Sequence, residues 1–272
     1  MQISTSSQPR EADLAERVDV NATATPNKVP QVTLTFWIIK LLSTTVGETG
    51  ADYLAVHVGV GAVLTGAFMA ALLVGALWLQ LRASLCVPWR YWLTVVLLSV
   101  VGTQITDALT DGLEISLYLS TLVFGGALVA LFAQWHRRER ALSIRTIVTP
   151  RRERYYWAAI LLTFALGTAA GDLATEALCL GFTLGVVVFS ALIAAIALAW
   201  RLGAAPVPAF WLAYIMTRPL GASLGDLLSQ SPTYGGLGWG TVATSAAFLA
   251  VITVLVALLG YAGCADRGAS TS

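Results

Sequence analysis

The sequence predicts an all-α polytopic membrane protein, with eight transmembrane helices drawn from four tandem, parallel helical-hairpin repeats. Three observations carry that expectation. The 272-residue chain is 57% hydrophobic and only 11% charged, whereas a soluble domain carries about a quarter charged residues. Apolar runs of about 20 residues, enough to cross a bilayer as helix, recur eight times. A Trp, ten residues to a Gly and five more to an Asp, appears four times: Trp37, Gly47, Asp52; Trp92, Gly102, Asp107; Trp157, Gly167, Asp172; Trp211, Gly221, Asp226. Self-similarity of this kind within one chain marks a repeat architecture.

Residues 1–28 mix Ser, Thr, Asn and both charge signs with no sustained apolar face. A disordered tail is expected there, and no cleavable signal peptide. Apolar runs then come in pairs, at 31–54 and 59–81, 91–112 and 116–136, 156–176 and 179–201, 208–229 and 237–262. They define a single transmembrane domain over 29–262, with repeats near 29–82, 87–137, 152–202 and 206–262, and a short tail at 263–272. The second helix of each pair follows the Asp-bearing end of the first through a short turn, so each repeat reads as a hairpin. The repeat tryptophans are 55, 65 and 54 residues apart. The longer central connection fits two halves of two repeats, and four repeats around one axis remain open. Every repeat crosses twice, so all four share one orientation.

Arg82, Arg90, Arg137, Arg138, Arg140, Arg145, Arg151, Arg152, Arg154 and Arg201 crowd the connections between repeats, opposed only by Glu139 and Glu153. The turns on the other side carry no Lys or Arg. The positive-inside rule then places both termini in the cytoplasm, in a multi-pass protein of the plasma membrane. Cys86, Cys179 and Cys264 are widely separated, with no metal spacing and no disulfide framework.

Within the repeated motif the three residues have different expected roles. Trp37, Trp92, Trp157 and Trp211 fall near the cytoplasmic start of each odd helix, where an indole anchors well at the interface. Gly47, Gly102, Gly167 and Gly221 are each followed four residues later by Ala51, Thr106, Gly171 and Gly225. Small residues at this spacing let helices approach closely in lipid. The odd helices should therefore be inner and the Ala-, Leu- and Val-rich even helices lipid-facing. Lys40, one turn from Trp37, is expected to snorkel toward the cytoplasmic side.

Asp52, Asp107, Asp172 and Asp226 lie about 22 Å from their tryptophans, in the outer part of the bilayer. On the same face sit Glu48, Thr103, Thr168 and Ala222 one turn earlier, and Thr44, Ser99, Phe164 and Arg218 a turn before that. Asp111 and Glu176 follow one turn later. Intramembrane acids are costly, so they face a cavity, bind a cation, pair with a base or hold a proton; at the interface they solvate a turn. Asp226, or more readily an acid of another repeat, is a partner for Arg218.

The segments VPQVTLTFWIIKLLSTTVGETGADYL and TRPLGASLGDLLSQ resemble the bacterial family of membrane-anchored proteins with four tandem DUF347 repeats. That family has two transmembrane segments and one tryptophan per repeat. The resemblance covers about 29–262 and implies an eight-helix integral membrane protein, without supplying a mechanism. Glu48 departs from strict repetition, because no other repeat has an acid there.

The acid band suggests a transporter or carrier of a small cation. Substrate- or ion-binding residues would be Glu48, Asp52, Asp107, Asp172, Asp226, Glu176, Arg218 and Thr103. If the cation is a divalent metal, hard ions that favour oxygen ligands fit Glu48, Asp52, Asp107, Asp172 and Asp226. The cation would be substrate, and no resident cofactor is expected. Proton-coupled transport of an organic solute, with Arg218 holding an anionic group, is the alternative. A membrane-embedded enzyme or a sensor comes after that, since the chain has no HExxH, nucleophile motif or phosphate-binding loop, and no catalytic residue is assigned. The expected partners are the lipid bilayer and a small cation or solute, with no nucleic acid.

Overall fold

The structure, a computed structural model, describes residues 27–57, 62–83 and 85–269, with the side chains left out at Asp52, Glu176 and several helix-end positions. Residues 1–26 of the tail expected at 1–28, and the last residues, 270–272, lie outside the described residues.

Among the described residues there are eight α-helices and no strand. They are α1 (Leu34–His57), α2 (Ala62–Leu81), α3 (Pro88–Asp107), α4 (Leu117–Glu139), α5 (Pro150–Asp172), α6 (Gly181–Arg201), α7 (Pro206–Ser229) and α8 (Thr241–Ala269). The helices α3, α5 and α7 begin on Pro88, Pro150 and Pro206, earlier than their apolar runs suggest. Proline suits the first helical position because its missing N–H has no intrahelical partner there. The helix α8 runs through Ala269, into the stretch expected as tail.

Among the described residues, six helices are long and apolar enough to cross a membrane: α2, α3, α4, α5, α6 and α8. The other two, α1 and α7, carry Lys40, Glu48 and Asp52, and Arg218 and Asp226. Their charge is accommodated because the rest of the bundle surrounds them.

The odd helices form a closed ring, in which α1 packs on α3, α3 on α5, α5 on α7 and α7 back on α1. Four repeats therefore surround one axis. Even helices lie outside. About half of the α3 and α5 spans is buried (56% and 50%), against 22% or less in α2, α4, α6 and α8. Their outward side chains, such as Val63, Leu122, Val129, Val187 and Leu258, are exposed apolar groups suited to a lipid surface. Each outer helix packs mainly on the inner helix of the next repeat: α2 on α3, α4 on α5, α6 on α7, α8 on α1. The two helices of one repeat touch each other far less. The outer layer thus staples each inner contact, and α8 closes the ring onto α1.

The repeat glycines make the ring possible. A Cβ on Gly102 would stand 2.6 Å from Phe164 Cβ, and one on Gly167 2.5 Å from Arg218 Cβ. Gly47 meets Ser99 and Gly221 meets Thr44 in the same way. Counting the repeat Trp as position 0, each glycine at +10 abuts position +7 of the next repeat, and the last returns to the first. Thr106 Oγ1, four residues beyond its glycine, donates to Ala165 O at 3.1 Å.

At the arginine-rich end the connections are tied down. Glu139 accepts from Arg152 Nε at 2.9 Å, and Lys28 Nζ lies 2.7 Å from Glu153 Oε2. Glu153 is buried and Lys28 nearly so, so the folded domain starts a little before the expected boundary. Lys28 N also donates to Ile147 O, and Asn27 Nδ2 to Ile144 O.

Candidate functional site

Because four parallel helices carry the same offsets around one axis, residues spaced four apart stack into levels about 6 Å apart. From the arginine-rich end, the first level at −1 is Phe36, Tyr91, Tyr156 and Phe210. Level +3 is Lys40, Val95, Ile160 and Tyr214. Level +7 is Thr44, Ser99, Phe164 and Arg218. Level +11 is Glu48, Thr103, Thr168 and Ala222. Level +15 is the repeat Asp. Levels +3 and +7 are completely buried, and Glu48 at +11 is 7% exposed. Asp107, Asp172 and Asp226 are half-buried.

Arg218 dominates the middle of the axis. It is 0% exposed, and its guanidinium reaches all three other repeats. Nη2 forms an ion pair with Glu48 Oε2 at 2.6 Å. Nη2 also donates to Thr168 Oγ1 at 2.7 Å and to Thr103 Oγ1, while Nε donates to Thr168 Oγ1 at 3.1 Å. Nη1 donates to Thr44 O at 2.8 Å. Thr103 and Thr168 spend their own protons on Ser99 O and Phe164 O, one turn back. Their oxygens are thereby turned toward the guanidinium as acceptors. A buried charge is tolerated when it is paired and its donors are met; here the charge is paired and each guanidinium nitrogen has at least one acceptor.

The two departures from repetition are therefore each other's partners. Arg218 is the one base among the four residues at +7, and Glu48 the one acid among those at +11. The partner of Arg218 lies on another repeat. Thr103 is brought into this cluster as expected; Thr44 and Thr168 belong to it as well. The cluster was foreshadowed by two opposite charges, each unique at its offset, on adjacent levels.

Lys40 does not snorkel. It is 1% exposed, with Nζ 3.9 Å from the Phe164 ring centroid and 4.3 Å from that of Tyr214. The helix α1 faces the axis at this level, so the side chain has no path along an outer surface.

Three of the four repeat tryptophans also differ from the expected interfacial anchors. Trp92, Trp157 and Trp211 are buried at 1%, 5% and 4% exposure, and only Trp37 is half-buried. They pack with Phe36, Tyr91, Tyr156, Phe210 and Trp135 into an aromatic plug across the arginine-rich end of the axis. Tyr91 Oη and Tyr156 Oη hydrogen-bond across it at 2.5 Å. Trp211 Nε1 donates to Leu142 O at 3.1 Å, tying the plug to the central connection. An aromatic residue at −1 in every repeat gives each Trp a neighbour within the ring, and that inter-repeat stacking draws the indoles inward.

The acids at +15 sit one level beyond the Arg218 cluster. Around each helix the +15 position is turned about 40° from +11 and about 80° from +7. The side chains of Asp52 and Glu176 lie outside the described residues. Two π-helical segments, Ala108–Gly112 and Leu173–Ala177, follow Asp107 and Asp172 directly. The i→i+5 winding shifts the helix face, so Asp111, one α-turn on, is carried to the exposed surface. Among the described residues no three His, Cys, Asp or Glu group closely enough to hold a metal ion. Two open surface hollows lie around Phe182 and Tyr234 and around Trp239 and Thr241. Neither is lined by a repeat Asp.

A ring of four inner helices inside four apolar outer ones, with a charged axis shielded from the outside, defines a multi-pass membrane-type bundle built by tandem repetition. The chain belongs to the family described as Repeat of Unknown Function (DUF347), whose model matches four times, at residues 35–85, 90–141, 155–203 and 209–262. Each match spans one inner and one outer helix. No curated protein and no solved structure matches the chain.

Proposed function

We infer that the protein is a carrier of a small cation in the plasma membrane, with both termini and the arginine-rich connections in the cytoplasm. The observation that supports this reading is the register of the repeat. Four inner helices close around one axis, and each brings an Asp to the same level at the less buried end. Four carboxylates at one depth focus a negative potential there and attract cations. Their oxygens suit a hard ion such as Mg²⁺ or Mn²⁺, bound as substrate. Below them, Arg218 is a fixed positive charge on the axis. While Glu48 neutralises it, the pair is a polar constriction; a cation moving inward must displace or rotate that pair. The plug around Tyr91 and Tyr156 closes the far end. Each crossing therefore needs a change at two levels, which is the behaviour of a carrier rather than an open pore.

A second reading has its own supporting observation. Arg218 lies buried among hydroxyls and could exchange Glu48 for the carboxylate of an organic solute, with the acids moving protons. Reconstituted full-length protein separates the two. Uptake into proteoliposomes would be measured with a panel of divalent metals, with and without a pH gradient. The first reading expects saturable metal uptake, reduced at least about tenfold in Asp52→Asn and Asp172→Asn. Unchanged metal uptake in both variants would remove the acid ring as the site. Uptake that needs a pH gradient and no metal would favour the second reading.

A further inference from the structure

The axis holds a second charged group that the acid ring and the Arg218–Glu48 pair leave uncompensated. Lys40 is buried between the aromatic plug and the Arg218 level. Its Nζ lies over the ring faces of Phe164 and Tyr214. Cation–π contact with rings in a dry site is worth about 2 kcal/mol, well short of the cost of burying an ammonium without a counter-charge. Arg218 does not relieve it, being a like charge one level on: its Cζ is 5.9 Å from that same Phe164 centroid.

The charge count on these levels is unequal. Lys40 and Arg218 supply two cations, and Glu48 is the one acid among the described residues of levels −1 to +11. Glu48 is committed to Arg218. The repeat Asp positions start about 18 Å along the helix from Lys40, too far to pair with it. With Lys40 protonated, one positive charge is left over.

The hydrogen-bonding inventory is unequal in the same sense. Tyr214 Oη and Ser99 Oγ are buried with no hydrogen-bond partner among the described residues. The Tyr91–Tyr156 hydroxyl pair uses one of its two protons on itself, so a second proton is free to donate. The segment of axis from −1 to +7 thus has an ammonium and several unspent hydroxyl donors, and no ionised acceptor. Such a set is what an anion requires and what a cation avoids.

We propose that this axial compartment binds one monovalent, halide-sized anion, held by Lys40 Nζ and the Tyr214 hydroxyl. Its charge equals the excess of one. A single-atom ion suits a compartment enclosed by close-packed helices, where a phosphate or sulfate would have to part them. The positive edges of the surrounding rings favour an anion in the ring plane. The arginine-rich end, just beyond the plug, concentrates anions at the nearer entrance. The site is separate from the acid ring, and anion binding stands or falls independently of cation transport.

The test uses the purified full-length protein in detergent. Thermal unfolding is followed while chloride replaces gluconate at constant ionic strength, and bromide is used as a second probe through quenching of tryptophan fluorescence. The expected result is a saturable rise in Tm with chloride and saturable bromide quenching relieved by chloride. Lys40→Met should remove both responses. Tyr214→Phe should weaken the apparent affinity roughly tenfold, the loss of one hydrogen bond to a charged group. Lys28→Met, at the ion pair outside the axis, should retain the response. A wild-type Tm that does not depend on chloride, or depends on it linearly without saturation, overturns the proposal. So does an undiminished response in Lys40→Met. If Lys40→Met does not fold, Tyr214→Phe decides, and an unchanged affinity there overturns the proposal too.

Discussion

Glu48→Gln tests the axial ion pair most directly. Glutamine keeps nearly the same shape and leaves an amide oxygen near Arg218, so packing and one hydrogen bond survive. What disappears is the negative charge 2.6 Å from Nη2. Arg218 has no exposed surface and stays charged at any working pH. Breaking a buried pair by removing one partner costs about 3–5 kcal/mol. Thr44 O and the Thr103 and Thr168 hydroxyls still accept from the guanidinium, which places the expected loss near the lower end, about 3 kcal/mol. The companion is Glu48→Met combined with Arg218→Met, which replaces both ions by apolar chains of similar length. That double variant should be within about 1 kcal/mol of the original or more stable. Equilibrium unfolding in mixed micelles, run as a double-mutant cycle, gives the coupling directly. A loss under about 1 kcal/mol for Glu48→Gln, or a double variant whose cost equals the sum of its single changes, would refute the reasoning.

Two further predictions follow from packing and from thiol burial. Gly167→Ala puts a methyl 2.5 Å from Arg218 Cβ and should cost about 1–3 kcal/mol. Gly126→Ala on outer helix α4 meets nothing within 4 Å and should be neutral or stabilise by up to about 1 kcal/mol; equal effects at the two sites in thermal unfolding would sink the close-packed ring. Burial pushes the Cys86 thiol, in the α2–α3 connection, up to about 11. Only the thiolate reacts, so its alkylation at neutral pH should run about a hundredfold slower than that of an ordinary thiol and keep rising with pH toward that value. Exposed Cys179 should be modified first, and peptide mass mapping that finds Cys86 labelled as fast at pH 7 would count against its burial.

Much of the architecture was legible without coordinates. Eight helices, their pairing into four repeats, the inner position of the odd helices and the packing role of the glycines all follow from local pattern. Length, hydropathy and small-residue spacing act within one helix or one contact, and a repeat shows them four times over. The tryptophans show the limit. Position near a helix start predicts an interfacial indole, but Trp92, Trp157 and Trp211 turn inward because the neighbouring repeat supplies an aromatic partner in Phe36, Tyr91 and Tyr156. Lys40 fails in the same way: snorkelling needs an outer face, and Lys40 is on the buried face of α1 while Ile38 takes the exposed one.

By itself, the sequence determined that four copies of one unit would place like residues at like depths, because equal offsets on parallel helices leave no freedom in height. Only the tertiary structure decided what stands opposite what around the axis. Closure of the ring, with α8 returning to α1, sets position +7 of the last repeat against position +11 of the first. That contact joins residues 170 positions apart, and no local pattern encodes it. It converts the two residues that break the repeat, Glu48 and Arg218, into one buried pair, and leaves Lys40 on the same axis as the charge still to be met.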